Sequence, residues 1–331
     1  MSKLEVLRTS GKCSFYRIAP DGATPVARFV ASTPETRAIC NDPLIAGVNY
    51  TKKLRSACEV TLAALSKYSE IEFVERQTVV LNILRGGLNF GLREALADAF
   101  DWNQHTTAFV SAQRSRTEAD SESWKIKENE YKKLHVPQHA CVICGDVVAT
   151  GTTLLYALKE FLRTAETEQT RISSLVFFTI GGQPAEEVLH ECDALCRKAF
   201  EGYKGASIIY FEGRFNVARE DSDLTIKQTG TDLIRSGAIA APEFISSQYD
   251  SPAFPLERCA IYDAGSRAFY PPAFYEDVLG YWREVRRIAN EGVNYASYIA
   301  ERFPELDVSR FEGAQLKAVC DTQIAKLERV L

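Results

Sequence analysis

Apolar stretches of strand length alternate with stretches of helical periodicity through the middle of the chain. The predicted strands are 78–84, 106–112, 140–148, 172–180 and 206–211, and the helices between them are 88–100, 152–163 and 185–200. Strands joined through helices pair in parallel, and the helices then cover both faces of the sheet. The pattern therefore predicts an α/β fold around a central, mostly parallel sheet.

The segments on either side of this core are expected to be additions to it. Four regions are predicted: an N-terminal helical segment at 1–75, the core at 76–215, an insertion at 216–270 and a C-terminal helical extension at 271–331. Apolar residues at helical spacing predict a helix at 50–68 and two more helices from residue 274 onward. The polar run at 113–133 is too long for an ordinary connection, which predicts a functional or disordered loop.

Charge and hydropathy exclude two classes of partner. The formal net charge is −5 and Lys and Arg do not cluster, whereas a nucleic-acid-binding face needs clustered basic residues. No apolar run approaches the roughly 20 residues that cross a bilayer, and the first residues lack the apolar core of a signal peptide. We therefore expect a cytoplasmic protein with no nucleic-acid partner and no membrane partner.

The cysteines are predicted to be free thiols. There are nine, scattered over the whole length, and a cytoplasmic protein of this size rarely builds a disulfide framework. Cys141 and Cys144 form a C-x-x-C, for which a zinc site is the alternative. Residues three apart on a strand point to opposite faces, which is poor geometry for chelating one ion. We predict buried thiols here and no metal site built from protein ligands alone.

The segment VICGDVVATGTTLLYAL carries the clearest functional signal. An apolar strand ends in a loop with one glycine and leads directly into a helix. Gly151 allows a tight turn, and the N–H groups of 150–153 would then form an anion nest at the helix N-terminus. The alternative is that Thr152 or Thr153 is only an N-cap after that turn. The residues predicted to bind a ribose phosphate, with Asp146 accepting hydrogen bonds from ribose hydroxyls, are Asp146, Ala149, Thr150, Gly151, Thr152 and Thr153.

A second glycine loop follows the first core strand, where residues 82–91 read NILRGGLNFG. Gly86 and Gly87 permit an unusual backbone conformation, and Arg85 can neutralise a diphosphate. An exposed turn with a surface arginine is the alternative.

The ATGTT loop resembles the phosphoribosyl pyrophosphate signature of the type I phosphoribosyltransferases, in which two acids precede apolar residues and T-G-x-T. Gly145 stands where that signature has its first acid. The resemblance implies a type I phosphoribosyltransferase core, a central mostly parallel sheet flanked by helices, with N- and C-terminal additions that form a hood.

Within that family, several segments are similar to uracil phosphoribosyltransferases. ILRGGL at 83–88 is similar to their I-L-R-A-G-L, and YKKL at 131–134 to their Y-x-K-L-P. Arg114 stands where that family has an arginine that contacts the pyrophosphate. YDAGSRAF at 262–269 is similar to G-D-A-G-D-R-x-F, a loop that reads the edge of a pyrimidine. An ordinary Asx turn at 263–266 is the alternative.

The resemblance implies a role for each matching residue. Asp263 would lie at the attacking nitrogen of the base and would be catalytic together with Asp146, while 115–132 would cover the reacting centre. The residues implied to bind pyrophosphate are Arg85, Gly86, Gly87, Arg114 and Lys133. The residues implied to bind the base are Tyr262, Asp263, Ala264, Gly265 and Phe269.

Two functions follow as hypotheses. The first is a phosphoribosyltransferase of pyrimidine salvage that acts on phosphoribosyl pyrophosphate and a small heterocyclic base such as uracil. It would use Mg²⁺ bound mainly through the diphosphate, and we expect a homodimer. The second is a sensor or regulator that binds a phosphoribosyl nucleotide without turnover, which Gly145 favours. Arg283, Arg286 and Arg287 are predicted to lie on a solvated face or a dimer contact.

Overall fold

A computed structural model describes residues 4–20, 22, 24–84, 86–116, 124–148, 151–258, 262 and 270–331, with the backbone alone at 112–116 and 124–130. The strands are β1 (Leu4–Arg8), β2 (Ser14–Ile18), β3 (Ala27–Ser32), β4 (Thr78–Leu84), β5 (Thr106–Arg116), β6 (Trp124–Lys133), β7 (Ala140–Val148), β8 (Ile172–Gly182), β9 (Gly205–Val217) and β10 (Leu233–Ala240). The helices are α1 (Pro34–Asn41), α2 (Gly47–Tyr68), α3 (Leu92–Phe100), α4 (Thr152–Thr167), α5 (Gln183–Ala199), α6 (Pro242–Ser247), α7 (Pro271–Asn290), α8 (Tyr295–Arg302) and α9 (Leu316–Glu328).

All the described strands belong to one sheet, in the order β1-β2-β3-β9-β8-β7-β4-β5-β6, with β10 paired to β9. The pairs from β3 to β5 along this order are parallel, and the pairs outside them are antiparallel. The chain runs from β4 outward to β5 on one side and returns to β7 on the other. The strand order therefore reverses between β4 and β7, which is a topological switch point.

The predicted central, mostly parallel sheet is confirmed. The strands β4 and β7 have the predicted bounds, and the predicted helices between the strands are present as α3, α4 and α5. Six of the seven residues of β4 are buried, as are ten of the eleven residues of β8. Parallel strands covered by helices on both faces need such continuous apolar runs. These strands could therefore be predicted from the sequence.

The N-terminal region differs from the helical segment that was predicted. The predicted helix is present as α2, but three strands precede it and extend the core sheet through the parallel pairing of β3 with β9. The strands β2 and β3 are only 5 and 6 residues long. Periodicity cannot assign such short apolar runs, and their pairing with a strand far along the chain decides their structure.

The polar run at 113–133 is not a loop over its described length. The strands β5 and β6 pair in antiparallel fashion as far as Arg116 and Trp124, so a long two-stranded ribbon extends beyond the core. Its sequence is polar because a ribbon at the edge of a sheet has little core to cover. Backbone hydrogen bonds between β5 and β6 therefore hold these two strands together, although the apolar pattern of the sequence predicts no strand in this run.

The C-terminal half also contains more regular structure than the sequence predicts. The strand β10 lies within the irregular stretch and pairs with β9, and the extension has three helices, α7, α8 and α9, where two were predicted. Arg283 and Arg286 on α7 form ion pairs with acids on α9, while Arg287 pairs within its own helix. All three arginines are exposed, as a solvated face requires.

A buried carboxylate joins the N-terminal strands to the core. Glu212 on β9 is fully buried and has a φ of +64°. Its carboxylate accepts hydrogen bonds from Ser32 Oγ (2.6 Å), from the Thr33 backbone N–H (2.9 Å) and from the Thr36 hydroxyl. Thr33 and Thr36 also form the capping box of α1. Burial nevertheless raises the pKa of Glu212 to about 7, with the hydrogen bonds opposing that rise.

The raised pKa of Glu212 predicts a pH-dependent contribution to stability. The folded state holds this proton more tightly than the unfolded state, so the contribution is complete below pH 4.5 and is lost as pH rises through about 7. Between pH 4.5 and pH values above 7 the free energy of unfolding of the parent should fall because of Glu212. In Glu212→Gln we expect this fall to be smaller by about 3 kcal/mol. Urea unfolding at several pH values measures it, with the exposed Glu220→Gln as control. If the unfolding free energy fell equally with pH in the parent and in Glu212→Gln, the raised pKa of Glu212 would be contradicted.

Candidate active site

Two glycine loops begin at neighbouring strand ends at the switch point of the sheet. The carboxyl end of β4 leads into the 3₁₀ turn Gly86–Phe90, and the carboxyl end of the neighbouring β7 leads to Gly151 at the start of α4. A Cβ atom at Gly87 would lie 3.1 Å from the Gly145 carbonyl oxygen, so the first loop approaches the β7 backbone closely. Ligands of open α/β sheets bind at this place, outside the carboxyl ends of the strands.

Gly151 is required by its surroundings. Its φ is +78°, and a Cβ atom there would lie 2.7 Å from Val188 Cγ2 on α5. Its carbonyl accepts the Leu155 N–H at 2.9 Å, which places Gly151 itself at the N-cap of α4 with no side-chain cap. The alternative in which Thr152 or Thr153 serves as the N-cap is therefore wrong. Both threonines are half-buried in the first turn, where N–H groups and the helix dipole favour an anion.

Asp146 lies on β7, two residues before the end of that strand, and is half-buried. Its Oδ1 accepts the Val147 N–H at 2.9 Å. Asp146 shares a strand face with Cys144, whose thiol pKa is raised by burial and further by the Asp146 charge. The predicted ribose-binding acid thus lies near the carboxyl end of the strand that precedes α4. Ala149 and Thr150 lie outside the described residues.

The two cysteines of the C-x-x-C are both buried free thiols in β7. Burial raises the pKa of Cys141 to about 11, so the thiolate form that binds metals is disfavoured. Within the described ranges, no group of three or more His, Cys, Asp or Glu side chains is arranged to hold a metal ion.

Gly145, which stands in place of an acid, packs against an aromatic ring. A Cβ atom at Gly145 would lie 2.6 Å from Phe90 Cγ, and the Phe90 side chain is fully buried. The Phe90 ring stacks on Phe211 at 6.4 Å between centroids, and Phe211 packs on Phe178. The side of β7 where the signature has its first acid is therefore filled by core. Sequence analysis did not single out Phe90, although an aromatic residue in NILRGGLNFG together with a missing acid was a usable signal.

The residues predicted to bind pyrophosphate are only partly brought together. Gly86 and Gly87 lie at the switch point, whereas Arg85 lies outside the described residues. The backbone of Arg114 lies in β5, opposite Ile126. Lys133 is exposed on β6 and pairs with Phe109 on β5. Because β5 lies between β6 and β4, the backbone of Lys133 is about 10 Å from the backbone of β4. Neighbouring Lys132 forms an ion pair with Glu160 on α4 at 2.9 Å.

Tyr262 is the one described residue of the predicted base loop, and it is buried rather than open to a ligand. Its side chain is 6% exposed, and its ring packs edge-to-face against Tyr50 on α2 (5.5 Å) and Phe274 on α7 (5.6 Å). A contact between its ring and the base remains a prediction. The other four residues predicted to bind the base lie outside the described ranges, namely Asp263, Ala264, Gly265 and Phe269.

Comparison with known proteins agrees with this geometry. Residues 49–200, a little under half of the chain, match the family model of the phosphoribosyl transferase domain, and this range contains both glycine loops. Over the matched range the chain forms part of a mostly parallel sheet with helices between its strands. No curated protein matches the sequence. Among the helices of the described ranges, none is long and apolar enough to cross a bilayer.

Several solved structures resemble parts of this chain. AQ2163 protein from Aquifex aeolicus is 18% identical over 55% of this chain and 86% of its own, with a TM-score of 0.36. Hypoxanthine phosphoribosyltransferase from Staphylococcus aureus is 20% identical over 48% and 74%, with a TM-score of 0.28. A point variant of the Trypanosoma cruzi hypoxanthine phosphoribosyltransferase is 15% identical over 59% and 94%, with a TM-score of 0.29. Similarity this low supports no statement about the base.

A pair of glycine substitutions tests the requirement at Gly151. Gly151→Ala combines a left-handed backbone with a clash against Val188, and we expect it to destabilise the fold by about 2–4 kcal/mol. Gly280→Ala on α7 is the control, because its Cβ meets open space in a helix interior and should stabilise by about 0.5–1 kcal/mol. Urea unfolding measures both. A neutral Gly151→Ala would show that the loop has a different conformation.

A double-mutant cycle tests the packing of Phe90 on Gly145. Gly145→Ala should cost about 1–3 kcal/mol because its methyl group overlaps the Phe90 ring. In a Phe90→Ala background the same substitution should cost less, since the Phe90 Cγ and Cδ1 atoms that the methyl group meets are gone. Unfolding free energies of the four proteins give the coupling energy. Additive effects would show that the two residues do not share this space.

Proposed function

We propose that the chain binds phosphoribosyl pyrophosphate at the carboxyl ends of β4 and β7. It transfers ribose 5-phosphate to a nitrogen of a small heterocyclic base, uracil or a related ring, and releases pyrophosphate. The observation that carries the proposal is the close approach of Gly87 to the Gly145 carbonyl oxygen, next to Asp146 on the strand that leads to Gly151 and α4. Both glycine loops lie inside the range that matches the phosphoribosyl transferase family model.

The 5′-phosphate would bind at the N-terminus of α4. The N–H groups of residues 150–153 act as donors, and the tight turn at Gly151 brings the backbone close to the ligand. Thr152 and Thr153 would add hydroxyl donors. Asp146 would then accept hydrogen bonds from the ribose hydroxyls at the adjacent strand end.

The diphosphate would lie across the Gly86–Gly87 loop. As the bond from C1 to the diphosphate breaks, negative charge collects on the leaving group, and Arg85, Arg114 and Lys133 would stabilise it. Mg²⁺ fits this arrangement as a partner of the diphosphate oxygens, because the described residues offer Asp146 as an oxygen ligand but no complete protein cage. When bound, the ion would supply charge neutralisation at the leaving group.

The base would approach from the segment that follows Tyr262. Asp263 would accept or orient the proton of the attacking nitrogen, and Ala264, Gly265 and Phe269 would surround the ring. Uracil is the first base to test because YDAGSRAF is similar to the base loop of uracil phosphoribosyltransferases.

A second candidate function is binding of a phosphoribosyl nucleotide without turnover. The packing of Phe90 on Gly145 favours it, because this chain has no space for the acid that precedes Asp146 in the family signature. Asp146 would then be the only acid of the pair available to the ribose. A sensor needs the phosphate nest and ribose contact but not the full stabilisation of a developing cation.

A base panel separates the two functions. We expect pyrophosphate release from phosphoribosyl pyrophosphate and Mg²⁺ with uracil or a related base, measured by a coupled assay. Asp146→Asn should raise KM for phosphoribosyl pyrophosphate about tenfold or more, since a charged hydrogen-bond acceptor is lost. The exposed Asp221→Asn is the matched control.

Binding without release for any base would contradict the transferase proposal and support the sensor. Unchanged affinity in Asp146→Asn would contradict the placement of the ribose.

A further inference from the structure

We propose that Thr179 on β8 is a positioning residue for Asp146, and that its hydroxyl donates a hydrogen bond to the Asp146 carboxylate when a ribose phosphate is bound. This inference rests on the proposed function for the role of Asp146. Its structural part stands on the burial of Thr179, on its unpartnered hydroxyl and on its place beside Asp146 in the sheet.

The Thr179 hydroxyl is a buried polar group without a partner. The residue is fully buried, and its Oγ1 forms no hydrogen bond with any residue that the structure describes. Buried polar atoms of folded proteins nearly always have a partner, because an unpaired one has lost its hydration without compensation. Valine has nearly the same shape and would occupy this position without that cost. The hydroxyl therefore indicates a partner that the ligand-bound protein supplies.

Asp146 is the neighbour of Thr179 on β7. The two residues are register partners in the parallel pair of β7 and β8, so their side chains leave the same face of the sheet from strands about 4.8 Å apart. Asp146 is half-buried, and its Oδ1 accepts the Val147 N–H. A carboxylate accepts several hydrogen bonds at once. A ribose hydroxyl would therefore draw this carboxylate toward the ligand while Thr179 holds it from the side of β8.

The neighbour of Thr179 on its other side is already engaged. Tyr210 on β9 is the register partner there, and its hydroxyl donates to Glu186 Oε2 on α5 at 3.3 Å. The carboxylate of Glu186 is in turn held by buried Arg28 on β3 at 2.9 Å. This side of Thr179 thus contains an ion-paired network, which favours Asp146 as the acceptor for the Thr179 hydroxyl.

Gly181 leaves space beside the hydroxyl. It follows Thr179 by two residues and lies on the same face of β8, where a Cβ atom would be only 2.9 Å from Thr179 Oγ1. Rotation about one side-chain bond exchanges the hydroxyl and the methyl group of threonine between staggered positions. With glycine at 181 the methyl group can take the place that Oγ1 leaves. The hydroxyl can therefore turn toward Asp146 without a change in the backbone.

A valine substitution in the full-length chain distinguishes a positioning role from a structural one. By titration calorimetry, Thr179→Val should bind ribose 5-phosphate about tenfold more weakly and inorganic phosphate within about twofold of the parent, because phosphate alone does not use Asp146. Its urea midpoint should be unchanged or higher, since no hydrogen bond of the ligand-free protein is lost. Thr179→Ser restores the hydroxyl and should bind ribose 5-phosphate within about threefold of the parent.

Thr78→Val is the matched control. Thr78 is a fully buried threonine at the amino end of β4, away from the predicted site, and its hydroxyl donates to the Val74 carbonyl at 2.9 Å. We expect the reverse pattern: a lower urea midpoint, because a hydrogen bond of the folded protein is lost, and an unchanged affinity for ribose 5-phosphate.

A double-mutant cycle tests whether Thr179 acts through Asp146. In an Asp146→Ala background, Thr179→Val should change the affinity for ribose 5-phosphate by less than about twofold, because the acceptor is gone. An equal loss of affinity in both backgrounds would overturn the proposal, and so would a Thr179→Val midpoint that falls as in Thr78→Val.

The proposed function and this inference fail in different ways. A parent that binds no ribose 5-phosphate would contradict the proposed function and the inference with it. A parent that binds ribose 5-phosphate, together with a Thr179→Val that binds it equally well, would contradict the inference alone.

Discussion

Close backbone approach between the loop after β4 and the strand β7 is the constraint on which the site depends. The parallel order of the sheet places the ends of β4 and β7 side by side, and glycine at position 87 lets the loop after β4 lie against the β7 backbone. Gly87 lies against the Gly145 carbonyl, while Gly151 turns with a positive φ against Val188. A side chain at any of these three positions would separate the elements that the proposed ligand must bridge. The site is therefore a property of backbone geometry first and of side chains second.

The same constraint shapes the functional choice. Because Gly145 has no side chain, Phe90 fills the face of β7 that an acid would need, and the ring continues the aromatic packing of Phe211. Asp146 lies on the opposite face and keeps its place near the start of α4. This arrangement supports the proposed binding of phosphate and ribose. The acid that Gly145 replaces would matter for catalysis, so a measurement of turnover distinguishes the transferase from a protein that only binds the nucleotide.

Sequence was sufficient for the central sheet and not for its edges. The strands β4 and β7 and the helix α4 were predicted from long apolar runs and one glycine, because strands buried on both faces carry a strong local signal. The strands β2 and β3 were missed because their pairing with β9 is a contact between distant segments. The β5–β6 ribbon was missed because its polar residues give no hydrophobic period. Phe90 was missed because the aromatic residue of the glycine loop and the missing acid at Gly145 are distant in the sequence, and the fold brings them into contact.

The central claim is that a phosphoribosyl group binds at the carboxyl ends of β4 and β7, and a crystal structure of the chain with ribose 5-phosphate tests it most directly. The account predicts phosphate oxygens about 3 Å from the N–H groups of residues 151–153, with a ribose hydroxyl on the Asp146 carboxylate. Ribose 5-phosphate bound at another place, with these N–H groups and Asp146 left without contact to it, would contradict the account.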